Sequence, residues 1–245
     1  DTTFGGQLLD VNSARELGFT KGGSGRLTLS GQNSYEWDTT VNGGTLEVSG
    51  RIGETGSITV ANGAAFKVTG SGSLGSGGVY SGGGSGAGNI VNNGTFTYNS
   101  TTDQTFTGVV SGSGALIKDN SSTLTLSGAN TFSGTTTIDA GTLEIGGAGT
   151  LGSSSYAGTI TNNGTLNYNS SATQKLNGVI SGTGALILNG SGQLNLSVNN
   201  SFTGGVTVND GILGLQNGGI GANGPLTVNG GLVSASKHDS YDNLA

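Results

Sequence analysis

The stretch Gly88-Asn89-Ile90-Val91-Asn92-Asn93-Gly94-Thr95-Phe96-Thr97-Tyr98-Asn99-Ser100 returns seventy positions later as Gly158-Thr159-Ile160-Thr161-Asn162-Asn163-Gly164-Thr165-Leu166-Asn167-Tyr168-Asn169-Ser170. The same offset carries Gly108-Val109-Val110-Ser111-Gly112-Ser113-Gly114-Ala115-Leu116-Ile117 onto Gly178 to Ile187. Self-similarity at a fixed spacing marks a stacked architecture, in which one unit cannot bury its apolar side alone and needs a like neighbour above and below.

Within each unit apolar residues alternate with polar ones, as at Leu46/Val48, Leu124/Leu126, Leu143/Ile145 and Leu194/Leu196, so one side of each short strand faces a core. Helical spacing is absent. The runs end in Asn-Gly, Ala-Gly, Gly-Gly or Ser-Gly, where glycine is expected to supply a left-handed φ. Asn-Gly between strands is also a hairpin signal, but an antiparallel sandwich has no need of one pattern recurring along the chain.

The fold predicted is therefore all-β, a β-solenoid. Three strands of about five residues and three short turns give a coil of roughly 23 residues, and three such coils make the seventy-residue period. Leu27-Thr28-Leu29-Ser30-Gly31 aligns with Leu124-Thr125-Leu126-Ser127-Gly128 at an offset of ninety-seven, close to one coil more. The chain then holds about ten coils in a rod on the order of 50 Å long. Tyr98 and Tyr168 share parity with Phe96 and Leu166, which places both rings in the core, three coils apart. Asn92, Asn93, Asn162 and Asn163 either form side-chain ladders or simply tolerate left-handed turns.

Composition narrows the function. Of 245 residues 51 are Gly, one is Pro and none is Cys or Met; charged residues are 9% and the net charge is -6. Neither a nucleic-acid-binding basic patch nor a thiol or disulfide framework is present. No run approaches the ~18 apolar residues of a membrane helix. The recurrent Leu, Ile, Val and Thr separate the chain from disordered sequences.

Gly112-Ser-Gly114-Ala-Leu-Ile-Lys118, Ser122-Thr-Leu-Thr-Leu-Ser-Gly128, Asn130-Thr-Phe132-Ser-Gly134 and Gly141-Thr-Leu143-Glu-Ile145 together resemble the passenger-associated transport repeat of autotransporters. Copies are recognisable at 25–48, 112–145 and 182–215; in the third, Gln193-Leu-Asn-Leu-Ser-Val198 lacks the strand's closing glycine. The resemblance implies a right-handed parallel β-helix, exported across the outer membrane to the bacterial surface or beyond through a translocator barrel outside this chain. It implies a stalk or adhesive role, with a host or bacterial surface glycan or protein as partner.

Three organisational units are expected: an N-terminal cap or lead-in over 1–21, the solenoid over 22–235, and a polar tail or partial coil over 236–245. Asp10 to Phe19, with Ala14, Arg15, Glu16 and Leu17, has the composition of a capping helix. An unprotected final coil leads to self-association through coil ends.

No motif points to catalysis. Gly70-Ser-Gly72-Ser-Leu-Gly75 matches a dinucleotide fingerprint, but the pattern recurs at Gly147 and Gly219 with no helix to follow, so no cofactor is expected. His238 is the sole His or Cys, which excludes a zinc-type metal site. His238-Asp239-Ser240 cannot converge as a triad along an extended strand. The one departure of chemical interest is Tyr35-Glu36-Trp37-Asp38, where Glu36-Trp37-Asp38 stands in place of Ser133-Gly134-Thr135. Trp37 stacking on a sugar between the Glu36 and Asp38 carboxylates, with Tyr35 beside them, makes these four the candidate ligand-binding residues; a carbohydrate-binding or polysaccharide-degrading β-helix is the alternative function. Trp37 capping the end of the core is the competing structural role.

Overall fold

The computed structural model describes residues 1–9, 18–35, 38–53, 56–75, 79–80, 88–216, 219–220 and 224–236. Its strands stack in parallel into a solenoid with three faces. Face 1 is a nine-stranded sheet running from Thr2–Phe4 to Ile180–Ser181. Face 2 begins with the pair Arg51–Ile52 and Ser73–Leu74 and continues as an eight-stranded sheet from Val79–Tyr80 to Leu226–Val228. Face 3 is made of two five-stranded sheets, Phe19–Lys21 to Val110–Ser111 and Ser155–Tyr156 to Leu232–Ser236. Between these two sheets the column is carried by the rings of Phe132 and Tyr156, edge-on with centroids 5.3 Å apart.

Short β-branched runs flip alternate side chains inward, and the core is one continuous file of Leu, Ile, Val, Phe and Tyr. Tyr98 and Tyr168 lie in it, 0% and 2% exposed, as their parity predicts.

Their spacing differs from the expectation. Pairing Leu46↔Phe66, Phe96↔Leu116 and Ile160↔Ile180 gives a coil of 20 residues, lengthened to 30 at Phe66↔Phe96 and to 24 at Thr136↔Ile160. Starting at Phe96, three coils consume 64 residues and reach Ile160, so a seventy-residue step overshoots onto the next face. Ile90 is on face 3 and Ile160 on face 1; Tyr98 is on face 1 and Tyr168 on face 2. The period is three and a third coils rather than three.

The coil is shorter than expected because its corners are made almost wholly of backbone. A Cβ on Gly114 would sit 2.3 Å from the Gly94 oxygen, on Gly134 2.0 Å from Gly114 O, on Gly158 2.2 Å from Gly134 O, and on Gly178 2.1 Å from Gly158 O. None of these five glycines has positive φ. Close approach of successive coils, rather than left-handed backbone, demands the residue in this column.

The stack also begins earlier than expected. Thr2–Phe4 pairs with Leu27–Leu29 and Phe19–Lys21 with Thr39–Val41, so the segment 1–21 already contributes strands. The helix expected at 10–19 falls on 10–17 outside the described residues, as do 237–245 of the tail. At its start the 236–245 segment is still solenoid, since Ser236 closes the last strand against Gln216.

Candidate functional surface

In all three copies of the motif the two leucine strands lie directly on each other. Leu27 and Leu29 pair with Leu46 and Val48 on face 1; Leu124 and Leu126 with Leu143 and Ile145 on face 2; Leu194 and Leu196 with Leu213 and Leu215 on face 3. Each copy thus spans between one and two coils, stacks upon itself, and is turned by one face from the copy before.

A buried asparagine fastens each copy to its neighbours. Asn130 Oδ1 accepts from Val110 N at 2.8 Å, while Nδ2 donates to Gly128 O at 2.8 Å and Thr150 O at 3.0 Å, which ties three successive coils with one carboxamide. Asn33 does the same with Leu8 N, Gly31 O and Arg51 O, and Asn200 with Ile180 N, Val198 O and Gly219 O. In each case the side-chain oxygen takes the bond of a main-chain amide, Val110, Leu8 or Ile180, since a buried unpaired amide costs about 1–3 kcal/mol. The sequence pattern marks this asparagine as a motif residue but not its reach across coils.

Lysine closes the corner in two copies. Lys118, 0% exposed, donates from Nζ to Asp119 O at 2.7 Å, Asn120 O at 2.8 Å and Ala140 O at 3.4 Å. Lys21 makes the equivalent contacts with Gly22, Gly23 and Gly43 carbonyls. Burial pushes the Lys118 ammonium down to about 8, against the upward pull of the Asp119 and Asp103 carboxylates. Leu188 holds the position in the third copy.

Between copies a second polar unit recurs. Gln104 lays its carboxamide along Leu74, accepting from its N at 3.0 Å and donating to its O at 2.9 Å, as one more strand residue would. Gln174 does so with Leu151 at 2.7 and 3.1 Å. Beside them Ser100 and Ser170 donate to Gly72 O and Gly149 O, and Tyr98 and Tyr168 donate to Thr102 O and Ala172 O. Burial raises both phenols, Tyr98 to about 12. The recurrence of Tyr-x-Ser-x-x-x-Gln at an offset of seventy was the available signal.

An asparagine ladder exists, at other positions than expected. It runs Asn229→Asn209→Asn189→Asn167, amide to amide at 2.8, 2.7 and 3.0 Å, and ends on Glu144 at 2.7 Å. Asn92 and Asn162 cannot stack on one another because they occupy different faces; each donates instead to a backbone carbonyl, Ala115 O and Ala185 O.

Of the candidate ligand residues, Tyr35 is 1% exposed, its hydroxyl is paired with Thr39 Oγ1 at 2.8 Å and its ring packs near Phe19. That correction follows from alternation: position 35 is the inward ring that Phe132 and Phe202 supply in the other copies. Asp38 is exposed and accepts from Ser57 N at 2.8 Å, closing the next coil. Glu36 and Trp37 lie outside the described residues. An open groove of about 920 Å³ runs across the corner between faces 3 and 1, lined by Asn62, Gly63, Ala64, Asn93, Gly94 and Ser113 among others.

The model of the passenger-associated-transport-repeat family matches at 19–48, 116–145 and 186–215, ending on the same residues as the three self-stacked copies. Three segments of the chain, 90 of its 245 residues, match the passenger-associated-transport repeat. Over 231 residues it is 39% identical to the adhesin BmaC autotransporter of Brucella suis biovar 1 (strain 1330), a match that takes in 85% of this chain and 6% of that protein. No solved structure matches the chain. Each matched repeat contains both leucine strands and the asparagine clamp, and the first two add the lysine, so the repeat is a unit of coil closure.

Proposed function

We propose that the chain is a segment of an exported autotransporter passenger and that it works as a non-catalytic, rigid rod supporting adhesion, self-association or display at the bacterial surface. The observation that carries this reading is the threefold recurrence of the transport repeat among strands stacked in parallel, together with the similarity to an autotransporter adhesin. Local stacking suits export: a chain that emerges unfolded from a translocator barrel can add one coil at a time, since each coil needs only its neighbour. The partners are that barrel, lying outside this chain, and a glycan or protein of a host or bacterial surface.

An epitope tag placed in the parent protein next to this segment tests the location. Antibody labelling of intact cells is expected; signal that appears only after permeabilisation overturns it. Beads coated with the folded chain are expected to be retained on host cells or matrix above beads coated with the unfolded chain, and equal retention removes the adhesive role from this segment.

A further inference from the structure

We propose that Asn62 is a site of spontaneous backbone modification, converting to aspartate and isoaspartate in the folded protein, while five other described Asn-Gly pairs are protected by their hydrogen bonds. In this reaction the Gly63 amide nitrogen attacks Cγ of Asn62, the C–N bond of the carboxamide breaks, and ammonia leaves. Water then opens the five-membered succinimide at either carbonyl. No other reactant is needed.

The chain supplies its own controls, because Asn-Gly occurs at seven described positions with the same intrinsic chemistry: 42, 62, 93, 163, 177, 189 and 229. Five carboxamides are held. Asn93 accepts from Ser113 N, Asn163 from Thr183 N, Asn177 donates to Ser155, and Asn189 and Asn229 belong to the ladder. The attacking nitrogen is also held at several of them, with Gly94 N bonded to Asn92, Gly178 N to Tyr156 O, Gly190 N to Tyr168 O and Gly230 N to Val208 O. Such sites react only after local opening of the stack.

Asn62 has neither restraint. Its side chain and the Gly63 nitrogen make no hydrogen bond, and both residues are exposed. Nothing lies within 4 Å of a Cβ built on Gly63, whose φ is +77. Only the Ala64 N to Ala61 O bond at 3.0 Å closes this turn, so the peptide can rotate without disturbing a strand. Asn42 is the next freest, but a Cβ built on the glycine after it would lie 3.1 Å from Gly23 O, so that turn is backed by the neighbouring coil where the Asn62 turn is open. Conversion would add a negative charge to the groove that Asn62 lines.

Peptide mapping by mass spectrometry, after incubation of the folded chain in mildly alkaline buffer, tests the assignment. Asn62 is expected to convert about tenfold faster than Asn189 or Asn229, and in strong denaturant all seven are expected to converge. Conversion of Asn62 no faster than Asn189, Asn42 overtaking it, or an ordering that persists unchanged in denaturant would each overturn the proposal.

Discussion

The second and third repeats solve one corner in two ways. In the second, Lys118 is buried beneath Asp119, with Asp103 and Asp139 nearby in the sequence or one coil on, and Asp119 accepts from Asn99 at 2.6 Å. Seventy residues later the lysine is Leu188, the two stacked aspartates are Asn189 and Asn209, and the corner is tied by amide-to-amide bonds. Cation and carboxylates have been exchanged together for leucine and amides. A buried ammonium is tolerated when carbonyls and carboxylates surround it, and an apolar residue serves once the acids are gone. The backbone course, with Ala115–Lys118 and Ala185–Leu188 in the same place within their repeats, is unaffected by the choice.

The largest disturbance expected is one that both repeats forbid alike. Gly134→Ala puts a methyl 2.0 Å from Gly114 O, and Gly204→Ala one 2.4 Å from Gly184 C, so each is expected to lower stability by more than about 3 kcal/mol or to prevent folding. Gly63→Ala, strained only in φ, is expected to cost about 1–2 kcal/mol. Urea titration of the three variants checks the ranking, and equal losses would mean that corner packing is looser than this geometry.

Lys118→Ala is the next largest. It leaves three carbonyls facing a void, for a loss of about 3 kcal/mol, whereas Lys118→Leu combined with Asp119→Asn copies the third repeat and is expected to recover most of that. Thermal melts of the single and double variants decide whether the exchange is coupled.

A smaller effect follows from titration. Lys118 sits at about 8 when folded and 10.5 when free, so between these values the unfolded chain binds more protons and stability rises with pH. Tyr35, Tyr98 and Tyr156 are raised from 10.0 to about 12, so the unfolded chain loses protons first and stability falls above pH 10. Chemical denaturation across this range is expected to show a maximum near pH 10 that the Lys118→Leu variant lacks on its acid side.

The smallest effect belongs to the ladder. Asn209→Ala breaks two exposed amide bonds and is expected to cost below about 1 kcal/mol, visible as faster amide exchange over Val206–Val208 and Leu226–Val228.

Much of this was legible beforehand. Alternation at Leu124/Leu126 and Leu143/Ile145 gave strands and their inward faces, and recurrence at Tyr98 and Tyr168 gave stacking and burial. Of the candidate ligand residues, Tyr35 occupies the inward ring position of the motif that Phe132 and Phe202 hold in the other copies, although Glu36-Trp37-Asp38 beside it departs from the repeat. The roles of Asn130 and Gln104 were not legible, since a polar residue in such a sequence has the same appearance whether it faces water or is buried and bonded to a neighbouring coil.

By itself the sequence determined that short parallel-stacking strands with a two-residue alternation would repeat, because a buried face requires alternation and a solitary coil cannot bury one. The tertiary structure alone decided where those repeats point. Coil length depends on how closely corner backbones approach, and with three coils taking 64 residues a seventy-residue period turns by one face, so residues matched in sequence, such as Tyr98 and Tyr168, stand on different sides of the rod.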